Sequence, residues 1–397
     1  MSTDAPGARN EAGAATRKVL IAADKFKGSL TAAQVGDAVR TGLQRVLPDL
    51  EVSVVPVADG GDGTLAAAIA AGYQWVPVTA TGPTGHPVDT GYARHGDRAV
   101  VELADVSGLS RLPARQPAAL LAGSRGTGEL IAAALDAGCR QIVVGIGGSA
   151  GTDGGAGLVS ALGARLLDTD GRDIADGGAG LTSIDKLDLA GLHPGLAQAQ
   201  IVIACDVDNP LTGLLGASAV YGPQKGADPD DVAVLDAALG RWADVVAAAV
   251  GADHRSAPGA GAAGGVGFAG IAVLGATLRP GIELMLDLVG FHQQLAGAEL
   301  VITGEGSLDE QTLHGKAPAG VAAASAAAGI PVVAVCGRNL LTTAQLRAAG
   351  IVAAYSLLDI EPDPQRCMTD AARLLVPVGE TIASRHLATA TSQAVAS

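Results

Sequence analysis

The chain has 397 residues, of which 48% are hydrophobic and 2% aromatic, and its formal net charge at pH 7 is −14. This length predicts about two domains with cores of Ala, Val, Leu and Ile, and the negative charge argues against nucleic acid or an anionic membrane surface as a partner. The longest apolar stretches are interrupted by Pro, Gly and Ser, so no membrane span is expected. Four cysteines without a Cys-x-x-Cys pair favour a reduced, cytoplasmic protein.

The first two predicted strands each lead into an acidic loop that contains glycine. A short apolar strand over Val19–Ala23 precedes the loop 24–29, and an amphipathic helix is expected to follow. A second strand over Val52–Val57 precedes the loop 58–63, which is followed by an Ala-rich helix. The same order of strand, loop and helix therefore occurs twice within the first part of the chain.

The middle of the chain combines an antiparallel segment with a glycine-rich turn. Alternating polar and apolar residues predict a small antiparallel meander of three strands over 76–81, 88–94 and 99–103. Gln141–Ile146 is β-branched and almost wholly apolar, which is typical of a buried strand. The loop Gly147–Gly155 follows it, and its glycines would let backbone N–H groups approach a phosphate closely before the next helix begins.

The remaining strands repeat the alternation with helices. Strands are predicted over Gln200–Ala204, Leu300–Thr303 and Pro331–Cys336, and the second of these leads into a predicted loop at 304–309. Residues 168–195 are rich in Gly and Asp and are expected to form surface loop. Strands that alternate with helices predict a mostly parallel α/β sheet.

Near residue 76 the order of strand, loop and helix gives way to consecutive strand patterns, and this change predicts the domain organisation. We expect a Rossmann-like domain that is discontinuous in sequence, formed by residues 18–75 and 284–380. An α/β domain with a small antiparallel portion, residues 76–283, would be inserted into it. Residues 1–17 are small and polar and are expected to form a disordered tail rather than a signal peptide, and residues 381–397 a flexible tail.

Polar side chains follow five of the predicted strands, and ligands of open parallel sheets bind beyond the carboxyl ends of the strands. These residues are Asp24 with Lys27, Asp59 with Asp62, Ser149 with Asp153, Asp206 with Asn209, and Glu305 with Asp309. One acid after a strand usually forms a cap or a turn, whereas five such ends favour a shared site. Carboxylates, glycine loops and lysines together indicate magnesium-dependent phosphoryl transfer.

Three sequence patterns test this interpretation. No Gly-Lys-Ser/Thr occurs at the spacing of an ordinary P-loop. The dinucleotide pattern occurs at 259–264, but the preceding residues do not form a strand. The serious alternative is a hydrolase nucleophile elbow at Gly147-x-Ser149-x-Gly151, which does follow a strand, although residues 152–155 delay the helix and no His-Gly-Gly segment is present.

Two further alternatives stay open from the residues alone. A non-enzymatic sensor that binds a phosphorylated metabolite would need the same loops. His314 adjoins Gly315-Lys316 near two acids, and there a solvated side chain and a functional one are equally compatible with the sequence.

Six segments resemble signatures of the bacterial glycerate kinase family, of the glycerate 2-kinase type, in the order of that family. They are Asp24–Leu30 (DKFKGSL), Ala58–Thr64 (ADGGDGT), Gly145–Ala150 (GIGGSA), Ala204–Leu211 (ACDVDNPL), Gly222–Ala227 (GPQKGA) and Thr303–Asp309 (TGEGSLD). The resemblance extends from about Val19 to Leu375. Departures from the family pattern at positions 25, 62 and 151–152 are mild. The change at 151–152 removes an amide side chain from the central loop, so no substrate contact is assigned to Gly151.

The resemblance implies ATP-dependent phosphorylation of D-glycerate in the cleft of a two-domain α/β protein. It implies transfer to the 2-hydroxyl more often than to the 3-hydroxyl, with Mg²⁺ as the metal and D-glycerate as the small-molecule partner. A monomer and a homodimer are both compatible with the sequence.

The resulting hypothesis assigns a role to each candidate residue. Asp59 or Asp206 would orient or deprotonate the attacking hydroxyl. Lys27, Ser29 and Lys25 would bind carboxylate or phosphate oxygens, with Lys27 as the catalytic cation. Gly147, Gly148 and Ser149 would bind the phosphates of ATP, and Lys225 and Lys316 would neutralise their charge. Asp24, Asp62 and Asn209 would bind the substrate, and Glu305 and Asp309 the metal.

Overall fold

The computed structural model describes residues 17–61, 63–313 and 315–388. Its strands are β1 (Lys18–Ala23), β2 (Glu51–Val54), β3 (Gln74–Thr81), β4 (Pro87–His95), β5 (Arg98–Glu102), β6 (Gln141–Gly145), β7 (Arg165–Leu167), β8 (Lys186–Asp188), β9 (Gln200–Ala204), β10 (Thr277–Arg279), β11 (Ala298–Leu308), β12 (Val332–Asn339) and β13 (Ile351–Ser356). Its α-helices are α1 (Ala32–Val46), α2 (Thr64–Ala70), α3 (Ala104–Ser107), α4 (Arg125–Asp136), α5 (Ala156–Ala161), α6 (Ala217–Tyr221), α7 (Pro229–Val250), α8 (Ala262–Ala272), α9 (Gly281–Leu288), α10 (Phe291–Gln294), α11 (Ala317–Ala327), α12 (Thr343–Ala348), α13 (Pro364–Thr369) and α14 (Ala371–Ile382).

The first sheet is wholly parallel and has the strand order β13-β12-β11-β1-β2. The chain order runs outward in opposite directions from the β11–β1 pair, so ligands are expected beyond the carboxyl ends of these two strands. Helices α1 and α14 cover one face and α9 and α11 the other. Gly42 and Gly379 lie where α1 crosses α14, and a Cβ atom at Gly42 would overlap the carbonyl oxygen of Val376.

The second sheet is mixed, with the order β10-β9-β6-β5-β4-β3. Strands β3, β4 and β5 are antiparallel, which confirms the predicted meander, and β5, β6, β9 and β10 are parallel. The core of this part contains the fully buried Trp242 of α7, whose indole donates a hydrogen bond to the carbonyl of Gly154 at 3.0 Å. The indole N–H is thereby satisfied inside an otherwise aliphatic core.

The loop between β2 and α2 lies at the junction of the two sheets, and glycines make this contact possible. A Cβ atom at Gly147, beyond β6, would lie 2.6 Å from the Cα atom of Gly61, and one at Gly281 would overlap the carbonyl oxygen of Asp59. Gly60 has φ of 85° and faces Gly281 and Ala204. Side chains at these positions would separate the sheets, so glycine brings their carboxyl ends together.

Three sequence-based predictions are corrected by the structure. Glu305 lies within β11 rather than in a loop, because pairing with β12 continues as far as Leu308 and Asn339. Residues 168–195 contain β8, which forms a hairpin with β7. Residues 381–388 are not a flexible tail: the helical turns continue beyond α14, and Ile382, Ala383 and Leu387 are buried against the first sheet's core.

Other predictions lie outside the described residues or stay predictions. Residues 1–16 and 389–397 of the predicted tails, Asp62 and His314 are not among the residues that the structure describes. The domain boundaries stay a prediction, although 18–54 and 298–356 contribute to the first sheet and 74–279 to the second. No described helix combines the length and the apolar character that crossing a membrane would need.

Candidate active site

Two neighbouring cavities lie at the junction of the sheets. The larger, here called the wide cavity, has a volume of about 700 Å³ and is lined mainly by loops of the first sheet. The smaller, here called the narrow cavity, has a volume of about 260 Å³ and is lined mainly by loops of the second. Asp59, Gly61, Gly147 and Gly148 line both. The two cavities therefore form one cleft with a shared wall.

The wide cavity brings charges of both signs together. Its carboxylates are Asp24, Asp59, Glu305 and Asp309, and its cationic side chains are Lys25, Lys27, Lys316 and Arg338. Burial is the main reason that the pKa of Asp24 is raised to about 7. The adjacent Lys25 ammonium opposes this shift, while the charges of Asp59 and Glu305 add to it. Carboxylates that repel one another in this way favour a bound cation or a bound proton.

Glu305 is held by a small polar network in the same cavity. Thr312 donates its hydroxyl hydrogen to one carboxylate oxygen at 2.6 Å, and the ammonium of Lys316 lies 3.7 Å from the other. Burial raises the pKa of Glu305, and Thr312 and Lys316 partly oppose that rise. Asp309 accepts the backbone N–H of Gln311 at 3.0 Å and donates its own N–H to Thr312. The network fixes both predicted metal ligands beside Lys316.

Part of the lining of the wide cavity is apolar. Leu358, Pro364, Cys367 and Met368 line it, and we call this surface the Met368 wall. The hydroxyl of Ser29 donates a hydrogen bond to the carbonyl of Met368 at 2.5 Å, which ties α13 to the loop after β1. The wall is thereby held next to the segment that carries Lys27.

The narrow cavity is backed by the glycine loop 147–149 and contains one carboxylate that belongs to it alone, Asp206. This carboxylate accepts the backbone N–H of Gly281 at the start of α9 at 2.8 Å. Asp206 keeps contact with solvent, and a partial loss of hydration is the main reason that its pKa is raised to about 6. The hydrogen bond from Gly281 opposes the rise, and the charges of Asp59 and Glu283 add to it. A carboxylate of this kind can accept a proton close to neutral pH.

Lys225 is the most unusual side chain of the narrow cavity, because it is only 1% exposed. Its ammonium donates to the carbonyl of Gly151, and burial lowers its pKa to about 8 although the charge of Asp153 opposes this. Burying an ammonium is costly unless it is paired. A buried ammonium in the lining of a cavity can pair with an anionic ligand.

The structure brings most of the predicted site residues to the cleft. Asp24, Lys25, Lys27, Ser29, Glu305, Asp309 and Lys316 line the wide cavity, Ser149, Asp206 and Lys225 the narrow one, and Asp59, Gly147 and Gly148 both. Asn209 lines neither cavity. Its amide donates to the carbonyl of Leu215 at 2.9 Å and accepts the Tyr221 hydroxyl at 2.7 Å. Asn209 thus positions Tyr221, which does line the narrow cavity, and its own contact with the substrate stays a prediction.

Asp153, which the sequence analysis placed with Ser149 in the shared site, lines neither cavity. It is 1% exposed and accepts the N–H and the hydroxyl of Ser124 together with the N–H groups of Gly155 and Gly157. Four such bonds make it a structural support of the loop after β6. Tyr221, Gln224, Arg338 and Met368 are among the lining residues that the sequence analysis did not assign to the site. Gln224 lies within the quoted segment GPQKGA, and it could have been found there.

The geometry around Ser149 does not suit the hydrolase alternative. In a nucleophile elbow the helix begins at the serine itself. Here α5 begins only at Ala156, and the described residues that line the narrow cavity include no histidine. Ser149 instead forms an isolated β-bridge with Gly108, with its side chain largely buried.

Comparison with known proteins agrees with this architecture. The sequence model of the Glycerate kinase family matches residues 19–387, nearly the whole described chain. The chain belongs to the glycerate kinase family. Every one of the six segments that resemble this family contributes lining residues to the cleft.

Individual glycerate kinases are similar over most of their length. A glycerate kinase of Bacillus subtilis is 44% identical over 86% of this chain and 90% of its own. A glycerate 2-kinase of Escherichia coli is 43% identical over the same shares of the two chains. A crystal structure from Salmonella typhimurium LT2 that carries the name glycerate kinase 2 superposes with a TM-score of 0.82, at 44% identity, over 93% of this chain and 98% of the other.

Proposed function

We propose that this protein transfers the γ-phosphoryl group of ATP to D-glycerate within the cleft. The observation that carries the proposal is the shared wall. Asp59, Gly147 and Gly148 face a cavity rich in lysines and carboxylates on one side and a small cavity with Asp206 and Lys225 on the other. Phosphoryl transfer depends mainly on positioning and on stabilising negative charge, and this arrangement can supply both.

The attacking hydroxyl would meet its base in the narrow cavity. We assign that role to Asp206, because its raised pKa of about 6 lets it take up a proton while it is still ionised at neutral pH. Asp59, on the shared wall, would orient the hydroxyl toward the phosphorus atom. The backbone N–H groups of Gly147, Gly148 and Ser149 would bind phosphate oxygens, and Lys27 and Lys316 would offset the charge that develops on them.

Magnesium would enter together with ATP rather than occupy a site formed by the protein alone. Among the described residues no three His, Cys, Asp or Glu side chains are arranged to hold a metal ion. Mg²⁺ typically binds one or two carboxylates together with substrate phosphates and water. Glu305 and Asp309 fit that donor set, and the ion would neutralise charge on the phosphates when it is bound.

The product is expected to be 2-phosphoglycerate, with 3-phosphoglycerate as the alternative, because the similar E. coli protein is named a glycerate 2-kinase. A cytoplasmic setting belongs to the same proposal, and it is supported by the four cysteines, which are free thiols in the structure.

The proposal is tested by incubating the purified protein with ATP, Mg²⁺ and D-glycerate and recording phosphorus NMR spectra. We expect ADP and one phosphoglycerate isomer, whose chemical shift separates the 2-phosphate from the 3-phosphate, and no turnover when Mg²⁺ is chelated. Stoichiometric binding of ATP and glycerate without ADP release would instead favour a sensor. Labelling of Ser149 by a fluorophosphonate, with ester cleavage in the absence of ATP, would favour a hydrolase.

A further inference from the structure

The two cavities differ in size in a way that separates the two substrates. Pockets that enclose ligands of drug size have volumes of about 300–1,000 Å³. The wide cavity, about 700 Å³, falls within this range, and the narrow cavity, about 260 Å³, falls below it. A nucleoside triphosphate is too large for the narrow cavity, whereas a three-carbon hydroxy acid suits it.

The lining of the wide cavity has both a charged and an apolar part. The charged part includes Glu305 and Lys316 together with Asp59, which also lines the narrow cavity. The apolar part is the Met368 wall, which contributes no residue to the narrow cavity. A nucleotide has a flat, largely apolar base at one end and an anionic phosphate chain at the other. The two kinds of lining therefore match the two parts of a nucleotide.

We infer that the wide cavity binds the nucleotide, with the base against the Met368 wall and the phosphates directed toward Asp59, and that the narrow cavity binds the hydroxy acid beside Lys225. This inference rests on the proposed function and adds the location of each substrate to it. It also assigns Lys27 and Ser29 to the side of the nucleotide rather than to that of glycerate.

The Met368 wall has the features of a preformed binding surface. Met368 is 51% exposed, so apolar surface remains in contact with water until something covers it. Its backbone carbonyl is held by the hydrogen bond from Ser29, and a Cβ atom added at Gly28 would lie 3.4 Å from its Cε atom, so the side chain lies close to the loop after β1. Methionine packs well against flat π-systems.

The narrow cavity offers groups that complement a small hydroxy acid. The ammonium of Lys225 can bind a carboxylate. Asp206 and the Tyr221 hydroxyl can bind alcohol groups, and Asn209 holds that tyrosine in place at 2.7 Å. Bound there, a hydroxyl of the acid would lie next to the shared wall at which the phosphate chain of the nucleotide ends.

Steady-state kinetics of Met368→Ala test the assignment against a matched control. Ile360→Ala removes another exposed apolar side chain from the same connection, but Ile360 lines neither cavity. We expect Met368→Ala to raise the KM for ATP about fivefold, because less apolar surface would cover the base, and to leave the KM for glycerate within about twofold. Ile360→Ala should change neither KM. An active Met368→Ala variant with a raised KM for glycerate alone, or with both values unchanged, would overturn the inference.

A direct binding measurement separates this inference from the proposed function. The native Trp75 and Trp242 line neither cavity, so they supply a constant background fluorescence. In Met368→Trp the introduced indole would stack on the base, and ADP without glycerate should quench its emission, whereas D-glycerate alone should not. Quenching in Met368→Trp, together with a wild type that shows no turnover, would contradict the kinase proposal and leave the nucleotide site supported. Normal turnover of Met368→Trp without quenching by ADP would contradict the assignment of the nucleotide site and leave the kinase proposal unaffected.

Discussion

The two cavities are built in different ways although both lie at the carboxyl ends of parallel strands. The wide cavity is lined by long charged side chains, of which Lys27 and Arg338 are exposed, and it can adjust to a flexible phosphate chain. The narrow cavity is backed by glycine backbone and by the buried Lys225, and it has little freedom to adjust. The comparison teaches that one cleft can combine a cavity that adjusts to a large ligand with one that positions a small ligand closely. Substitutions in the narrow cavity should therefore lower activity more than substitutions in the wide cavity.

The largest effect is expected from Asp206→Asn, which removes a base from the narrow cavity alone. The amide can still accept the Gly281 N–H, so the fold should persist, but it cannot take up the proton of the hydroxyl. We expect kcat to fall by about 10³-fold, with melting temperature unchanged. Asp208→Asn is the matched control, because Asp208 is an exposed neighbour that lines neither cavity. An Asp206→Asn variant with normal turnover would remove Asp206 from the mechanism.

The second largest loss of activity is expected from a change at the shared wall, where the two cavities meet. In Gly147→Ala the new Cβ atom would lie 2.6 Å from the Cα atom of Gly61, so the shared wall must shift. Displacements of this size can cost about 100-fold in kcat/KM. Gly240→Ala is the control, since no atom outside its own helix lies within 4 Å of the added carbon, and alanine favours helix. Equal activity of the two variants would contradict the importance of the shared wall.

The acid limb of the pH profile, that is, the fall of kcat/KM for glycerate at acid pH, should reflect the protonation of Asp206 in the narrow cavity. The base must be ionised, and the pKa of Asp206 is raised to about 6, so kcat/KM for glycerate should fall about tenfold for each pH unit below that value. Glu283 contributes to the raised pKa through its charge. Glu283→Gln should therefore move the limb to lower pH without changing the plateau. A limb that moves to higher pH in this variant would contradict the assignment.

The smallest effect concerns stability and distinguishes the buried Lys225 from the exposed cations of the wide cavity. Lys225→Met should stabilise the fold at pH 7 by about 1 kcal/mol in urea unfolding, because it removes a buried charge. Since the folded-state pKa of about 8 lies below the ordinary 10.5, the unfolded chain binds more protons between these values. The stability of the wild type therefore rises with pH across this window, and the difference from Lys225→Met should shrink there. A stability difference between the wild type and Lys225→Met that stays constant across this window would contradict the assignment of a buried charge to Lys225.

Much of the architecture follows from local patterns. The meander, the buried strand before the glycine loop and the acids after β1, β2 and β9 can be predicted because each depends on residues that are close in sequence. The glycine neighbours of Glu305 resemble a turn and predict a loop there. Pairing with β12, which comes from a later part of the chain, keeps Glu305 in a strand instead. The spacing of Asn209 predicts a contact with the substrate, whereas its amide is occupied by Tyr221 and Leu215.

The sequence by itself determined the alternation of strands and helices, the family and the loops that carry Asp24, Asp59, Ser149 and Asp206. Only the tertiary structure decided that these loops form two cavities with one wall in common, and that Met368 and Arg338 belong to the wider one. The physical reason is that helix and strand patterns depend on neighbouring residues. The shape of a cleft depends instead on how closely two sheets approach, which here is set by contacts between glycines such as Gly61 and Gly147 that are distant in sequence.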